Sequence, residues 1–312
     1  MEQSIISDWQ PEYGDKYSKE KLLMHHRLKD SGLFTKDAIA ELIDRCGPTN
    51  YNLNTMGYDP ENPVWREGVV KDISGIDVIQ SIERGRMWLN IFNPAEVDDR
   101  YKNLLNDMFA EFQSYMPDFN TFKRKMGILV SSPLVQVFYH ADIPGQSLWQ
   151  IEGEKRVYVY PTGEPYMSQK SLEGIIMGES EEEIPYNAEM EKGVTVYDLK
   201  PGEMLHWPLN YPHRVENEDS LNISVTTEHF TSDIRKSYAV NYANGVLRRN
   251  FGMGDLSQSI TGPSVYPKAA LTMLWKKLNL NKKNKFKRII DFTLDPKSTT
   301  GIVDIDAFVK QR

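Results

Sequence analysis

Between Ile128 and Phe230 the hydrophobic pattern runs with a period of two, in short stretches broken by turn residues. No other feature restricts the fold as much. The stretches 128–139, 147–151, 155–160, 194–198, 203–207, 213–216 and 221–227 read as strands, because β-branched and aromatic residues alternate with polar ones between Gly, Pro, Asn and Asp. Short strands of this kind bury their apolar faces only against one another, in a sandwich, barrel or jelly roll. On either side the period becomes helical. Thr35 caps a run that places Ile39, Leu42, Ile43 and Cys46 on one face and stops at Gly47-Pro48. Residues 51–70, rich in Asn, Pro and Gly, read as an extended connection, and Asp77 to Arg84 as a short helix ended by Gly85. Trp88 to Phe92 reads as a strand. After Asn93-Pro94, Val97, Tyr101, Leu104, Leu105, Met108 and Phe112 recur at helical spacing as far as Pro117. The segment Gly178 to Lys192, with six Glu and one Lys, reads as a solvated loop. Beyond Ser232 the helical period returns around Ile234, Tyr238 and Val246 and again from Ala269 to Leu278.

Composition excludes several classes. With 312 residues, 40% of them hydrophobic, the chain buries a sizeable core. One cysteine, Cys46, leaves no internal disulfide and too few thiolates for an iron–sulfur cluster or a cysteine-rich zinc site, so a bound metal would rest on His and carboxylate. A net charge of −7 argues against nucleic acid or anionic lipid as a general partner. No apolar run is long enough for a membrane span and the N-terminus lacks the pattern of a secretion signal, from which a cytoplasmic protein is expected.

Chemistry concentrates in Val135-Gln-Val-Phe-Tyr-His140-Ala-Asp142, where strand alternation turns His140 and Asp142 to the same side. A His and a carboxylate two apart can bind one metal. The third candidate is His213. A Pro201-Gly202 turn launches an apolar strand, a Pro-rich corner reverses it, and His213 opens the next strand. Two His and one carboxylate leave three positions open on iron(II), the facial arrangement of non-haem iron oxygenases.

Around these residues the chain resembles the cupin-like JmjC proteins among the 2-oxoglutarate- and iron(II)-dependent oxygenases, the family that includes the asparaginyl hydroxylase of hypoxia-inducible factor. Gln150-Ile-Glu-Gly153-Glu-Lys155-Arg156, followed by an apolar strand and Pro161, is similar to the family's hairpin of Gln-Ile-x-Gly-x-Lys-Arg. The string Pro201-Gly-Glu-x-Leu-x-x-Pro-x-x-x-x-His213 and the strand Leu221-Asn-Ile-Ser-Val-Thr226 also match, so the resemblance spans roughly residues 125–230. It implies a double-stranded β-helix, mainly β with flanking helices: residues 1–75 packed on the core, 76–231 forming it, and 232–312 a C-terminal helical region. It implies that His140, Asp142 and His213 hold iron(II), and that Lys155, fifteen residues after the first ligand, pairs with the distal carboxylate of 2-oxoglutarate. Some members carry a Thr where this chain has Val137, and Asn90, Gln150, Asn222 and Thr226 are candidates to supply the co-substrate contacts instead. The implied reaction consumes 2-oxoglutarate and dioxygen, yields succinate, and hydroxylates a protein, peptide or small molecule that the sequence does not identify. It further implies a homodimer through the helices between Ile234 and Leu278.

Other signals carry less. Trp88, Tyr139, Trp149 and Trp207 could line a pocket, although buried aromatics more often form plain core. His206 suits a satisfied barrel histidine, and His229 and the His25-His26 pair lie outside the matched pattern. Lys276, Lys277, Lys282, Lys283, Lys285, Lys287 and Arg288 read as a solvated or partner-facing helix end, and Glu181 to Glu183 as an acidic loop near the pocket mouth. Two other functions fit the same residues. One is a non-catalytic cupin-like binding or regulatory protein; the other is a cupin isomerase or dioxygenase that uses no 2-oxoglutarate.

Overall fold

The computed structural model describes residues 4–56, 64–180, 184–280 and 287–310. The acidic residues Glu181 to Glu183 and the basic Lys282, Lys283 and Lys285 lie outside them. In chain order the strands are β1 (Leu22–His25), β2 (Tyr51–Met56), β3 (Trp65–Val69), β4 (Met87–Phe92), β5 (Phe122–Ser131), β6 (Gln136–His140), β7 (Gly145–Glu152), β8 (Lys155–Val159), β9 (Thr195–Leu199), β10 (Glu203–His206), β11 (His213–Asn217), β12 (Asn222–Phe230), β13 (Ile289–Leu294) and β14 (Ile302–Val309). The helices are α1 (Tyr13–Lys16), α2 (Lys36–Arg45), α3 (Gly75–Arg84), α4 (Pro94–Val97), α5 (Asp99–Tyr115), α6 (Gln169–Met177), α7 (Ser232–Phe251) and α8 (Val265–Lys277).

The strands form two sheets, ordered β1-β10-β7-β12-β5-β4-β2-β3-β13-β14 and β6-β11-β8-β9. Leu148 and Leu205 of the large sheet meet Val157, Val159, Leu199 and Val215 of the small one in a single apolar cluster, so the sheets enclose a barrel interior. This is a jelly roll of the cupin type. The alternate residues of the large sheet, among them Leu53, Leu89, Ile91, Ile128, Val130, Trp149, Ile223 and Val225, point the other way into the main core, where α2, α3 and α5 cover them. Local chemistry sets the helix starts: Thr35 Oγ1 accepts from the Ala38 N–H at 3.2 Å and Ser74 Oγ from the Asp77 N–H at 3.3 Å. Asp98 caps α5 in the same way and so divides the helix expected after Pro94 into α4 and α5.

Five expectations are corrected. Residues 51–70 are not merely a connection; β2 and β3 pair there and extend the large sheet beyond β4. The stretch 128–139 is two strands. Pro133 and Leu134, the latter at φ 56°, end β5 and carry the chain across to the small sheet as β6. The C-terminal region is not wholly helical, because β13 pairs in parallel with β3 and with β14 in an antiparallel hairpin. The acidic segment is more than solvated loop: Ile184 and Met190 are buried with α6 and α7, and residues 188–193 form a 3-10 helix. In the basic segment Arg288 is ion-paired at 3.0 Å to Glu67, which is buried, and does not stand in solvent.

Candidate metal centre and the interior behind it

His140 closes β6, Asp142 follows in the loop leading to β7, and His213 opens β11 directly opposite His140 in the ladder. The ladder shifts register just after His213, which lets its ring lie against that of His140, 4.1 Å between centroids. One ligand atom from each of His140, Asp142 and His213 lies within 4.8 Å of the others. The imidazole protons can be assigned from their partners. His140 Nδ1 lies 2.8 Å from the Phe138 carbonyl and His213 Nδ1 lies 3.1 Å from the Tyr211 carbonyl. Because a carbonyl oxygen only accepts, both Nδ1 atoms donate and both Nε2 atoms present lone pairs. His213 Nε2 then faces Asp142 Oδ2 at 3.3 Å, acceptor against acceptor. Such a contact calls for a cation or a proton, and the donor set suits a divalent first-row metal with open positions.

The surroundings accentuate this. Burial, and after it the Glu228 carboxylate, push Asp142 up to about 8, and burial together with His140 holds His213 well below its ordinary value. A bound cation would bring Asp142 back down and hold His213 lower still, so that both would be in the deprotonated form that ligates a metal. The Asp142 loop is pinned by Asn210, whose Nδ2 donates to the Asp142 carbonyl at 2.6 Å. With its amide nitrogen turned to the carboxylate, Gln146 donates to Asp142 Oδ2 at 2.7 Å and Oδ1 at 3.1 Å. The Trp207 ring packs 4.5 Å from that of His213. Gln146, Asn210 and Glu228 were not among the residues singled out from sequence. Only register brings Glu228 there, on β12 opposite Gln146 of β7.

Lys155 lies deeper in the same interior. On β11 and β8, His213 pairs with Val159 and Asn217 with Lys155, so the lysine shares the barrel-facing side with Val157 and Val159, four residues along the strand. At about 3.3 Å per residue this is roughly 13 Å from the His213 position, a gap the lysine side chain shortens. Lys155 is 4% exposed, and its Nζ makes no hydrogen bond or ion pair among the described residues. Burial alone pushes it down to about 7. A lysine buried without a carboxylate is costly unless an anion joins it.

The other residues chosen from sequence divide. Asn90 and Thr226 face the interior on either side of Gly127, and a Cβ on Gly127 would lie 2.6 Å from Thr226 Oγ1 and 3.3 Å from Asn90 Oδ1. Gln150 and Asn222 are spent on the β7–β8 hairpin. The Gln150 Nε2 donates to Glu152 O, Gly153 O and Asn222 Oδ1, and its Oε1 accepts from Ser224. Trp88 faces the interior, Trp149 lies in the main core donating to Thr227, and Tyr139 packs behind the small sheet against α6 and α7. His206 is a satisfied core histidine, taking the Ser18 N–H at 3.0 Å and lying 2.9 Å from the Gln146 carbonyl.

No family model and no curated protein matches the chain. Solved structures do match. An X-ray structure of Escherichia coli YcfD superposes with a TM-score of 0.52 at 15% identity, over 89% of this chain and 70% of that one. YcfD, described as a ribosomal oxygenase, in complex with cobalt and succinic acid superposes with a TM-score of 0.50 at 14% identity, over the same shares. The likeness establishes the fold. No helix among the described residues is long and apolar enough to cross a membrane.

Proposed function

We propose that the protein is an iron(II)- and 2-oxoglutarate-dependent hydroxylase. One observation carries this reading: a His–Asp–His cluster in which two acceptors face each other shares an interior with a buried lysine that has no carboxylate partner among the described residues. A metal chelated by a dianionic keto acid answers both needs. His140, Asp142 and His213 would hold iron(II), and Lys155 would receive the distal carboxylate. When bound, the metal and co-substrate would supply, with dioxygen as oxidant, decarboxylation of 2-oxoglutarate to carbon dioxide and succinate, which takes one oxygen atom, and insertion of the other oxygen atom into a substrate C–H bond. The chain's own part is placement. The Phe138 and Tyr211 carbonyls fix the two imidazoles, and Gln146 and Asn210 hold the carboxylate and its loop. Leu148, Val157, Leu205 and Val215 keep water from the path between metal and lysine. Thr226 offers a hydroxyl on that path, while Gln150 and Asn222 keep their structural duty.

The similarity to a structure containing cobalt and succinic acid supports the reading, since succinate is the product this chemistry leaves. Its description as a ribosomal oxygenase makes ribosomal components the first substrates to screen, and a cytoplasmic location goes with that choice. A homodimer would use the exposed Tyr266, Met273 and Leu274 of α8.

The test is succinate formation from 2-oxoglutarate under air with added iron(II), alongside the anaerobic iron(II)–2-oxoglutarate charge-transfer band. The parent is expected to give the band, and His140→Ala to give neither band nor turnover. A folded parent that binds no iron and gives no band would overturn the enzyme reading in favour of a non-catalytic binding protein. A parent that binds iron but gives neither band nor succinate would favour a cupin isomerase or a dioxygenase that uses no 2-oxoglutarate, and a band insensitive to Lys155→Met would place the distal carboxylate elsewhere.

A further inference from the structure

We propose that Asn54, Trp88 and Asn90 form a binding subsite for a neutral amide, on the barrel-facing side of the large sheet and apart from the metal centre. Register places Glu67, Asn54, Trp88, Ser131 and Asn222 side by side across β3, β2, β4, β5 and β12. The ends of this polar row are satisfied. Glu67 receives Arg288 at 3.0 Å and Lys310 at 2.8 Å, Ser131 Oγ accepts from Asn217 at 2.8 Å, and Asn222 Oδ1 accepts from Gln150 at 2.7 Å. The middle is not. Asn54 is 2% exposed, yet among the described residues its Oδ1 has no partner, and neither has the buried Trp88 Nε1. In the adjoining row Asn52 is held by Lys310 while the buried Asn90 Oδ1, beside it, has no partner among the described residues.

Buried donors and acceptors are rarely left unpaired. Asn54 and Trp88 are direct ladder neighbours, and still the indole N–H and the amide oxygen do not join each other. One donor and two acceptors are therefore open to a third party. An amide has what they lack, an N–H for the asparagine oxygens and a carbonyl for the indole. Turning either asparagine amide over exchanges its acceptor for a donor, which an amide ligand meets equally well. An anion fits poorly, because the three residues include no cation and Glu67 is the ladder neighbour of Asn54. Trp65 packs edge-on against Trp88 at 5.9 Å and offers an apolar wall beside the polar groups. Leu129, the partner of Asn90, belongs to the barrel cluster, so the subsite is continuous with the interior that contains Lys155. That the amide belongs to the hydroxylase's substrate rests on the proposed function; that the subsite binds an amide does not.

The experiment follows the indole N–H signals by NMR in the metal-free full chain, with Trp88→Phe to identify the Trp88 signal among the six tryptophans. N-acetylglycinamide is the probe, methyl acetate is the control without an N–H, and 2-oxoglutarate is the competing ligand. The Trp88 signal should move and saturate with N-acetylglycinamide and stay in place with methyl acetate. Asn54→Leu, similar in size but without the amide, should weaken the probe about tenfold while leaving the Trp88 signal present. Asn90→Ala serves the same purpose should Asn54→Leu not fold. A Trp88 signal unmoved by the probe, or moved equally by methyl acetate, would overturn the subsite. So would one moved by 2-oxoglutarate alone, which would assign the patch to the co-substrate. Iron and turnover play no part in this readout, so a failed hydroxylase would show as a missing charge-transfer band while the indole signal still responded.

Discussion

The two faces of the large sheet are made by alternate residues of the same strands, and they are built to different rules. The outward residues Leu89, Ile91, Ile128, Val130, Trp149, Ile223 and Val225 are 0% exposed, and the one polar atom among their side chains, Trp149 Nε1, is bonded to Thr227. The barrel-facing residues of the same strands include Trp88, Asn90, Gly127 and Thr226, and two of these carry buried polar atoms with no partner among the described residues. One face is closed chemically and gains only from packing; the other is held open at a cost. Stability and function therefore alternate residue by residue along each strand, and substitutions on the two faces should separate them.

The largest effect is expected at the metal. His140→Ala should reduce iron retention and succinate formation by more than about a hundredfold, measured by metal analysis and product assay, with little change in the unfolding of the metal-free protein. Asp142→Asn should remove the band too. Because it also relieves the contact between Asp142 and His213 Nε2, it should raise the melting temperature of the metal-free protein. A large loss of stability from either change would mean that the ligands also serve as core, and the contrast between the faces would fail.

Next comes the outward face. Ile128→Ala removes a fully buried side chain and should cost about 2–5 kcal/mol in denaturant unfolding, while the folded fraction retains the charge-transfer band. Its neighbours in sequence, Gly127 and Leu129, face the barrel, so an altered band from Ile128→Ala would show that the two faces are coupled.

Lys155 gives a pH-dependent test. Its folded value near 7 lies below the ordinary 10.5, so between these limits the unfolded chain binds the extra proton and stability rises with pH. Below about pH 7 lysine is charged in both states and the burial penalty is fully present. Lys155→Met should abolish the rise in stability between pH 7 and 10, followed by chemical unfolding of the metal-free protein. Anion binding needs the charged form, so 2-oxoglutarate should bind up to about tenfold more weakly for each pH unit above 7. A flat binding profile would place the distal carboxylate elsewhere.

The same alternation explains what could be read from the sequence. The strands around the triad were legible because Val135 to His140 and Lys155 to Val159 keep the simple period, and His140, Asp142 and Lys155 lie close together in the chain. β2 was not, since Asn52 and Asn54 occupy the barrel-facing positions and resemble loop composition, although they are the polar half of an alternating strand. β14 was missed for a related reason: Asp304 and Asp306 interrupt its apolar residues, and its place is secured by pairing with β13 at the far edge of the sheet. Gln146 and Glu228 become neighbours of Asp142 only through the folding of the loop and the register of β7 with β12. For Trp88, Tyr139 and Trp149, parity within the strand decides between pocket and core, which composition does not reveal.

The smallest expected effect is at Gly127, where the contrast between the faces is most exposed to test. Its backbone is ordinary strand, so alanine brings no conformational strain, and the added Cβ would lie 2.6 Å from Thr226 Oγ1 and 3.3 Å from Asn90 Oδ1. Thr226 makes no hydrogen bond among the described residues that would fix its hydroxyl, so rotation about its χ1 can relieve the contact, at about 1 kcal/mol. Gly127→Ala should therefore lower the unfolding free energy only slightly, yet narrow the interior and weaken 2-oxoglutarate more than it weakens iron. The discriminating measurement is the ratio of those two affinities alongside the melting curve. A cost comparable to that of Ile128→Ala would mean that the barrel face is packed as tightly as the outward one and that its unpaired groups are enclosed, with no open interior for a ligand to enter.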